Sequence, residues 1–158
     1  VGIKILKSNL YRHIEWPIVI MLAAMIPIGQ ALESTGITAL IATEVVSLAG
    51  DLHIFWILMI ILIITMLITD VINNAATAVI MAPFSVNIAL QLGQPLEPFL
   101  MVVAVGASCA FLTPIGHQCN TLVMGPGNYK FSDYWRLGLP LDILIVLASI
   151  PMILFVWL

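Results

Sequence analysis

The sequence predicts an all-α integral membrane protein, and three observations lead to that fold class. Of its 158 residues, 62% are hydrophobic and only 8% are charged, whereas soluble domains carry about 25% charged residues. Several uncharged runs approach the length that a helix needs to cross a bilayer. Polar residues interrupt the apolar sequence at 70–77 and again at 113–121. The sequence therefore predicts transmembrane helices together with a re-entrant helical hairpin and a discontinuous helix.

The first apolar segment, residues 17–32, is predicted to be a span. Trp16 precedes it at a position suited to the headgroup region, and Pro17 is tolerated in the first turn of a helix. The next segment, 37–49, is too short to cross the membrane and carries its apolar residues along one face. It is therefore predicted to be a helix that lies in the interface.

Two uncharged arms around a polar tip predict the hairpin, which covers residues 54–92 with its tip at 70–77. Asn73 and Asn74 lie in this tip, and hydrocarbon offers no hydrogen-bond partners to their side-chain amides. Such groups persist in a membrane where they line a cavity, and there they usually bind something. An alternative is that both asparagines cap a helix at an external loop, which would make the two arms ordinary spans.

The second interruption predicts a discontinuous helix over residues 96–124, with an unwound break at 113–121. Pro114 removes a backbone donor, and the glycine two residues later weakens the helix further. An aqueous and interfacial loop is predicted at 129–136. Residues 139–158 are then predicted to form the last span.

The distribution of positive charge constrains this topology. The lysines and arginines form two groups, one before the first span and one before the last: Lys4, Lys7 and Arg12, then Lys130 and Arg136. The positive-inside tendency places both groups in the cytoplasm, so an even number of crossings separates them. One span, an interfacial helix, a hairpin and one broken span satisfy this condition. A second arrangement, with 37–48 and 54–69 as full spans before a shorter hairpin, satisfies it as well.

Each interruption frees backbone groups that could bind ions. The helix that starts near Ala76 is expected to present unpaired amide donors and a positive dipole end, which suit an anion. The carbonyls before Asn73 and those of residues 114–116 suit a hard cation such as sodium. No lysine or arginine lies near either interruption. An anion would therefore be held by amides, hydroxyls and co-bound cations.

Two other functional classes are disfavoured by the residues. The sequence has no basic patch, which argues against nucleic-acid binding. A membrane-embedded enzyme would need a nucleophile with a base, or a metal cluster, facing a cavity. The candidate nucleophiles and base are Ser108, Cys109, Cys119 and His117, and none of them has a clear carboxylate partner in the sequence. We therefore expect no enzymatic activity.

Two stretches of the sequence resemble a known family, and they read ITDVINNAATAVIMAPFSVNIA and GASCAFLTPIGHQCNTLVMGPGNYKFSDYWRLGLPLDILIV. They resemble the divalent anion:sodium symporters of the ion-transporter superfamily, which are sodium-coupled sulfate and dicarboxylate transporters. The resemblance implies an inverted-repeat transporter in which residues 1–158 form the C-terminal transport region, with the first repeat in a missing N-terminal part. It also implies a multi-pass homodimer in the cell inner (plasma) membrane and elevator-like movement driven by sodium.

The sequence departs from that family at two motifs. The hairpin tip of the family commonly reads Ser-Asn-Thr, where this sequence has Asn73-Asn74-Ala75. The dicarboxylate members carry Thr-Pro in the broken helix, where this sequence has His117-Gln118. These departures favour sulfate, or another small inorganic anion, over a dicarboxylate.

The leading hypothesis is therefore sodium-coupled symport of a divalent anion, with sulfate favoured. The predicted substrate-binding residues are Asn74, Thr77, His117, Asn120 and Thr121. The predicted sodium ligands, the last two through backbone carbonyls, are Asn73, Asn74, Ile115 and Gly116. The alternative function is an arsenite or sodium/proton antiporter of the same superfamily, and proton coupling would make Asp70 essential.

Overall fold

The computed structural model describes residues 52–158 continuously, together with isolated positions between 20 and 47. The predicted span at 17–32 and the predicted interfacial helix at 37–49 fall outside the continuously described residues. The only regular secondary structure in residues 52–158 is helix, without any strand, which confirms the all-α class for this part of the chain. The helices are α1 (Ile54–Thr69), α2 (Asn74–Leu92), α3 (Leu96–Ala107), α4 (Gln118–Met124) and α5 (Phe131–Trp157).

Helices α1 and α2 form a helical hairpin whose connection is shorter than the predicted tip at 70–77. Only residues 70–73 are non-helical, because α2 begins at Asn74. The side-chain oxygen of Asn73 accepts a hydrogen bond from the Ala76 N–H at 2.8 Å and so caps the new helix. At the other end, Gly93 stops α2 in the left-handed conformation, with φ of 63°. The cap moves the helix start to Asn74 and corrects the predicted extent of the tip.

Helices α3 and α4 are separated by a non-helical segment at residues 108–117, where the sequence predicted a break at 113–121 within a discontinuous helix. Helix α3 ends at Ala107, where contacts with the hairpin tip replace the next helical hydrogen bonds. Helix α4 starts at Gln118 because the His117 ring nitrogen Nδ1 accepts a hydrogen bond from the Cys119 N–H at 3.1 Å. Residues 118–121, predicted to be unwound, are therefore helical.

Helix α5 begins at Phe131, so residues 131–136 of the predicted loop are helical, and the predicted span at 139–158 lies within a longer helix. The Asp133 carboxylate accepts a hydrogen bond from the Lys130 N–H at 2.8 Å, which closes the first turn and adds two turns before the apolar run. Pro140 is accommodated inside this helix.

Helix α3 lies at the centre of the described part and packs most extensively against α1 and α2. Its residues Phe99 and Val102 are fully buried. Gly106 allows α1 to approach closely, since a Cβ there would lie 2.8 Å from the Cβ of Thr65. Helix α5 packs against both α3 and α1. The end of α3 is thereby surrounded by the hairpin on one side and by α5 on the other.

Length and composition allow two of the described helices, α2 and α5, to cross a membrane, whereas the apolar helices α1 and α3 are shorter. Many large apolar side chains of α5 are exposed, including Leu147 and Phe155, the latter at 90%. An apolar surface of this extent is unusual for a soluble monomer and is expected for a helix in contact with lipid or with other membrane helices.

Candidate functional site

The hairpin tip and the break pack against each other and form one structure, which we call the tip–break junction (residues 69–74 and 107–116). The Thr69 hydroxyl lies 2.9 Å from Asn74 Oδ1 and 3.0 Å from the Ala107 carbonyl oxygen. The Leu112 N–H donates to the Asp70 carboxylate at 2.9 Å. Residues about forty positions apart in the sequence therefore satisfy each other's backbone groups where both helices have stopped.

Thr113 is the main connector on the side of the break. Its hydroxyl donates to the Asp70 carbonyl at 2.5 Å, and it accepts from the N–H groups of Ile115 and Gly116 at 3.3 and 3.2 Å. One hydroxyl thus fixes the turn of the break and joins that turn to the tip.

Gly116 lies where the two chain segments approach most closely. A Cβ at this position would lie 2.8 Å from the Thr69 carbonyl oxygen and 3.0 Å from the Asp70 Cα. Those neighbours are backbone atoms, which cannot move aside as a flexible side chain could. Glycine is therefore required here for the tip and the break to touch.

The predicted cation ligands all lie in or beside the tip–break junction. Ile115 and Gly116 belong to the non-helical backbone of the break, and the Gly116 position adjoins Thr69. Asn74 joins the junction through the Thr69 hydroxyl, whereas the Asn73 side-chain oxygen caps α2. The oxygens that the structure brings together here are the Thr69 hydroxyl, the Asn74 side-chain oxygen and the Ala107 carbonyl, and oxygen is the atom type that sodium and other hard cations prefer.

The predicted substrate residues are placed less uniformly. Thr77 is fully buried one turn into α2, and its hydroxyl has no hydrogen-bond partner within the described part of the chain. The Asn120 side-chain amide donates to two carbonyls of the break, that of Ala110 at 2.7 Å and that of Thr113 at 3.1 Å. Thr121 donates to the Pro114 carbonyl at 2.6 Å. The donors of Asn120 and Thr121 are therefore engaged in fastening α4 to the break.

His117 is the exposed member of the predicted substrate set. Its Nδ1 accepts from the Cys119 N–H, so the other ring nitrogen, Nε2, carries the hydrogen in the neutral ring and can donate to a ligand. A cavity of about 200 Å³ lies nearby, between α4 and α5, and Asn120, Phe111 and Tyr134 contribute to its lining.

The electrostatic character of the junction comes from dipoles rather than from basic side chains. Within residues 52–158 the lysine and arginine side chains are those of Lys130 and Arg136, which are exposed near the start of α5. The N-terminal turn of α2 points amide donors and a positive dipole end toward the tip. An anion bound here would be held by these donors and by any cation bound beside it.

Two hydroxyl residues that build the junction, Thr69 and Thr113, were not among the predicted site residues. Thr69 directly precedes the first interruption, and Thr113 is the first residue of the predicted second one. Those positions were the available signal, because a hydroxyl beside an interruption can satisfy backbone groups that a helix leaves unpaired at its end. Asp70 also takes part in the junction, since it is 4% exposed and its Oδ1 accepts the Leu112 N–H, whereas its Oδ2 is buried without a hydrogen-bond partner in the described part of the chain.

Comparison with known proteins identifies the family. The family model described as "Citrate transporter" (CitMHS) matches residues 2–106. An uncharacterized transporter of Synechocystis sp. is 36% identical over 150 residues, covering 95% of this chain and 24% of the relative. The uncharacterized transporter YfbS of Escherichia coli is 40% identical over 146 residues, covering 92% of this chain and 24% of the relative.

A more distant relative has a substrate in its name. Sodium/sulfate cotransporter 2 of Chlamydomonas reinhardtii is 28% identical over 139 residues, covering 87% of this chain and 16% of the relative. The chain spans about a quarter of the length of the first two relatives. These matches are transporters, in agreement with the family resemblance of the two quoted stretches. The chain belongs to the citrate transporter (CitMHS) family of membrane transport proteins.

Proposed function

We propose that this chain forms part of a sodium-coupled symporter of a divalent anion, with sulfate as the favoured substrate. The observation that carries the proposal is the tip–break junction, where carbonyl and amide oxygens and a helix N-terminus meet on non-helical chain. Membrane transporters with broken helices use such places for both coupling ions and substrates. The names of the Chlamydomonas relatives, which include sodium/sulfate cotransporters, support sodium as the coupling ion and sulfate as the substrate.

Sodium is proposed to bind the side-chain oxygens of Asn73 and Asn74 and the backbone carbonyls of Ile115 and Gly116. The donor set suits a hard cation because every ligand is a neutral oxygen. The close approach at Gly116 supports the arrangement, since it holds the break against Thr69 and Asp70. Sodium in this position would place positive charge where the described chain has no lysine or arginine.

The anion is proposed to bind beside the sodium ion, at the N-terminal turn of α2. Asn74, which is half-buried, and His117, which is exposed, are the proposed contacts of the anion. Asn120 and Thr121 act mainly by holding the shape of the break, because their donors are already bound to its carbonyls. Thr77 has a buried hydroxyl with no hydrogen-bond partner in the described part of the chain. Sulfate fits this mixture of neutral donors and a co-bound cation.

The remainder of the transport machinery is proposed to lie elsewhere in the protein. The relatives are about four times as long as the segment matched here. We propose that another region supplies the first inverted repeat, that residues 54–92 re-enter the membrane as a hairpin, and that the assembly is a homodimer in the inner membrane. The hairpin and the broken helix would move together, because the junction bonds them to each other.

A carboxylate substrate is the second candidate, because the matching family model is described as a citrate transporter. Carboxylate and sulfate oxygens accept the same amide and hydroxyl donors, so the junction suits either group. The arsenite or sodium/proton antiporter remains an alternative within the same superfamily.

The test is uptake of radiolabelled sulfate into proteoliposomes that contain the complete coding sequence in which this chain lies. Uptake is expected to require an inward sodium gradient. Unlabelled citrate and arsenite serve as competitors, and effective competition by either one would replace sulfate as the assigned substrate. Equal uptake with and without sodium would contradict the symport proposal.

The site assignment is tested by Asn74→Ala with Asn87→Ala as the matched control. Asn87 lies on the same helix, but its side chain binds the Pro83 carbonyl within α2. We expect Asn74→Ala to reduce uptake about tenfold or more, since a hydrogen bond to a charged group contributes about 1.5–3 kcal/mol. Asn87→Ala should retain most of the activity. Equal effects of the two variants would remove Asn74 from the site.

A further inference from the structure

One face of α5 lies along the break, and three residues at four-residue spacing define it: Tyr134, Gly138 and Asp142. The Tyr134 hydroxyl donates to the Asn120 carbonyl at 2.7 Å. A Cβ at Gly138 would overlap the Phe111 carbonyl group, so the helix touches the backbone of the break there. Asp142 lies one turn further along the same face, and the sequence analysis did not identify it as a site residue.

The surroundings of Asp142 are otherwise apolar. Asp142 is one of the residues that line a cavity of about 310 Å³, and the other lining residues have hydrocarbon or thioether side chains: Ile63, Met66, Leu67, Leu112, Leu139, Ile143, Val146 and Leu147. Its Oδ1 is buried and has no hydrogen-bond partner among the described residues. A carboxyl oxygen left unpaired in such a place requires a ligand or a proton.

No positive charge compensates Asp142 in residues 52–158. Helix α5 packs against α3 and α1, and the titratable groups that interact electrostatically with Asp142 follow those helices. They are Asp70, in the turn after α1, and Cys109, in the segment after α3. A carboxyl group and a thiol are either neutral or negatively charged, so neither group stabilises an ionised carboxylate at position 142.

The choice between a metal ion and a proton follows from the lining. Sodium and other hard cations bind several oxygen ligands. Apart from Asp142, the side chains that line the cavity carry no oxygen atom. A proton needs no further ligand and removes the charge from the apolar surroundings. We propose that Asp142 is a proton-binding site of the transport region and that its protonation sets the pH dependence of transport.

The structure also provides a route from this proton to the tip–break junction. Leu112 lines the cavity of Asp142, and its N–H is bound by the Asp70 carboxylate. Ionisation of Asp142 would draw water into the cavity beside Leu112 and so disturb the hydrogen bond that joins the break to the tip. Asp142 is therefore a positioning residue for the junction. The proposal requires a membrane transporter but does not depend on which anion is carried.

The first test is the pH profile of uptake in proteoliposomes of the complete protein, from about pH 5 to about pH 8. Asparagine is the neutral isostere of a protonated aspartate, so Asp142→Asn should transport at all pH values as the unmodified protein does at its acidic limit. The control is Glu97→Gln, which removes an exposed carboxylate in the first turn of α3 and should keep the unmodified profile. An unchanged pH profile in Asp142→Asn would overturn the proposal.

The second test does not require transport. Infrared spectra of the purified complete protein should contain the carbonyl stretch of a protonated carboxyl group at the acidic end of the same pH range. This band should disappear in Asp142→Asn, remain in Glu97→Gln, and reappear at a shifted frequency in Asp142→Glu. The Asp142→Glu variant keeps the test decisive should the asparagine variant fail to fold. A band unaffected by either change at position 142 would show that Asp142 is ionised and would overturn the proposal.

Discussion

The hairpin tip and the break are both non-helical, but different interactions determine their shapes. The tip at 70–73 is short, and a residue within it, Asn73, caps the following helix. The break at 108–117 is longer, and its backbone groups are satisfied from outside by Asp70, Asn120 and Thr121 and from within by Thr113. The tip is therefore specified by local sequence, whereas the break takes its shape from the elements around it.

This comparison has a consequence for transport. A segment whose hydrogen bonds come from other elements changes its shape when those elements move, and a locally capped turn moves as a unit. We therefore expect perturbations at the contact between the two regions to have the largest effects. Changes confined to the tip should have the smallest effects on stability.

The largest effect is expected for Gly116→Ala. The added methyl group would lie 2.8 Å from the Thr69 carbonyl oxygen and 2.9 Å from the Ala110 Cβ, so the tip and the break must separate. Overpacking of this kind costs about 1–3 kcal/mol of stability, and sodium-driven uptake should be lost. Thermal unfolding in detergent micelles and uptake in proteoliposomes measure the two effects.

Gly125→Ala is the matched control for this prediction. A Cβ at Gly125 would meet no atom of the described structure within 4 Å, and this glycine lies at the end of α4, away from the contact. The control should unfold and transport as the unmodified protein does. Equal behaviour of the two alanine variants would show that the close approach at Gly116 is unnecessary.

An intermediate effect is expected for Thr113→Val, which removes the hydroxyl that joins the break to the Asp70 carbonyl and accepts two N–H groups. The unpaired backbone groups should lower the free energy of unfolding by about 1–3 kcal/mol. Thr113→Ser keeps the hydroxyl and should restore most of the stability. Chemical denaturation in micelles is the measurement, and a serine variant as unstable as the valine variant would contradict the role of the hydroxyl.

The same contrast between local and distant interactions explains which helices could be predicted from the sequence. The apolar runs identified the helical hairpin, the discontinuous helix and the final long helix, because burial and membrane contact both select continuous hydrophobic segments. The bounds of the tip were off by a few residues, since Asn73 caps a helix that includes Asn74. A capping asparagine is a local signal, so this error was avoidable from the sequence.

The bounds of the break could not be predicted in the same way. Helix α3 ends at Ala107 because Thr69, Asp70 and Gly116 meet the chain there, and such tertiary contacts are invisible to local patterns. Pro114 suggested a break centred several residues too late. Asp142 was overlooked for a related reason, since only the packing of α5 shows that its carboxyl group lies beside the break.

The smallest effect on stability is expected for Asn73→Ala. Loss of an N-cap costs about 1 kcal/mol, and the tip should absorb this loss locally. Hydrogen exchange at the first amides of α2 should accelerate, while exchange in residues 108–117 should stay unchanged. Asn73→Asp retains a capping oxygen and should exchange as the unmodified protein does. Faster exchange throughout the break in Asn73→Ala would show that the tip is not an independent unit. A weaker apparent affinity for sodium in the same variant would separate a ligand role of Asn73 from a purely capping one.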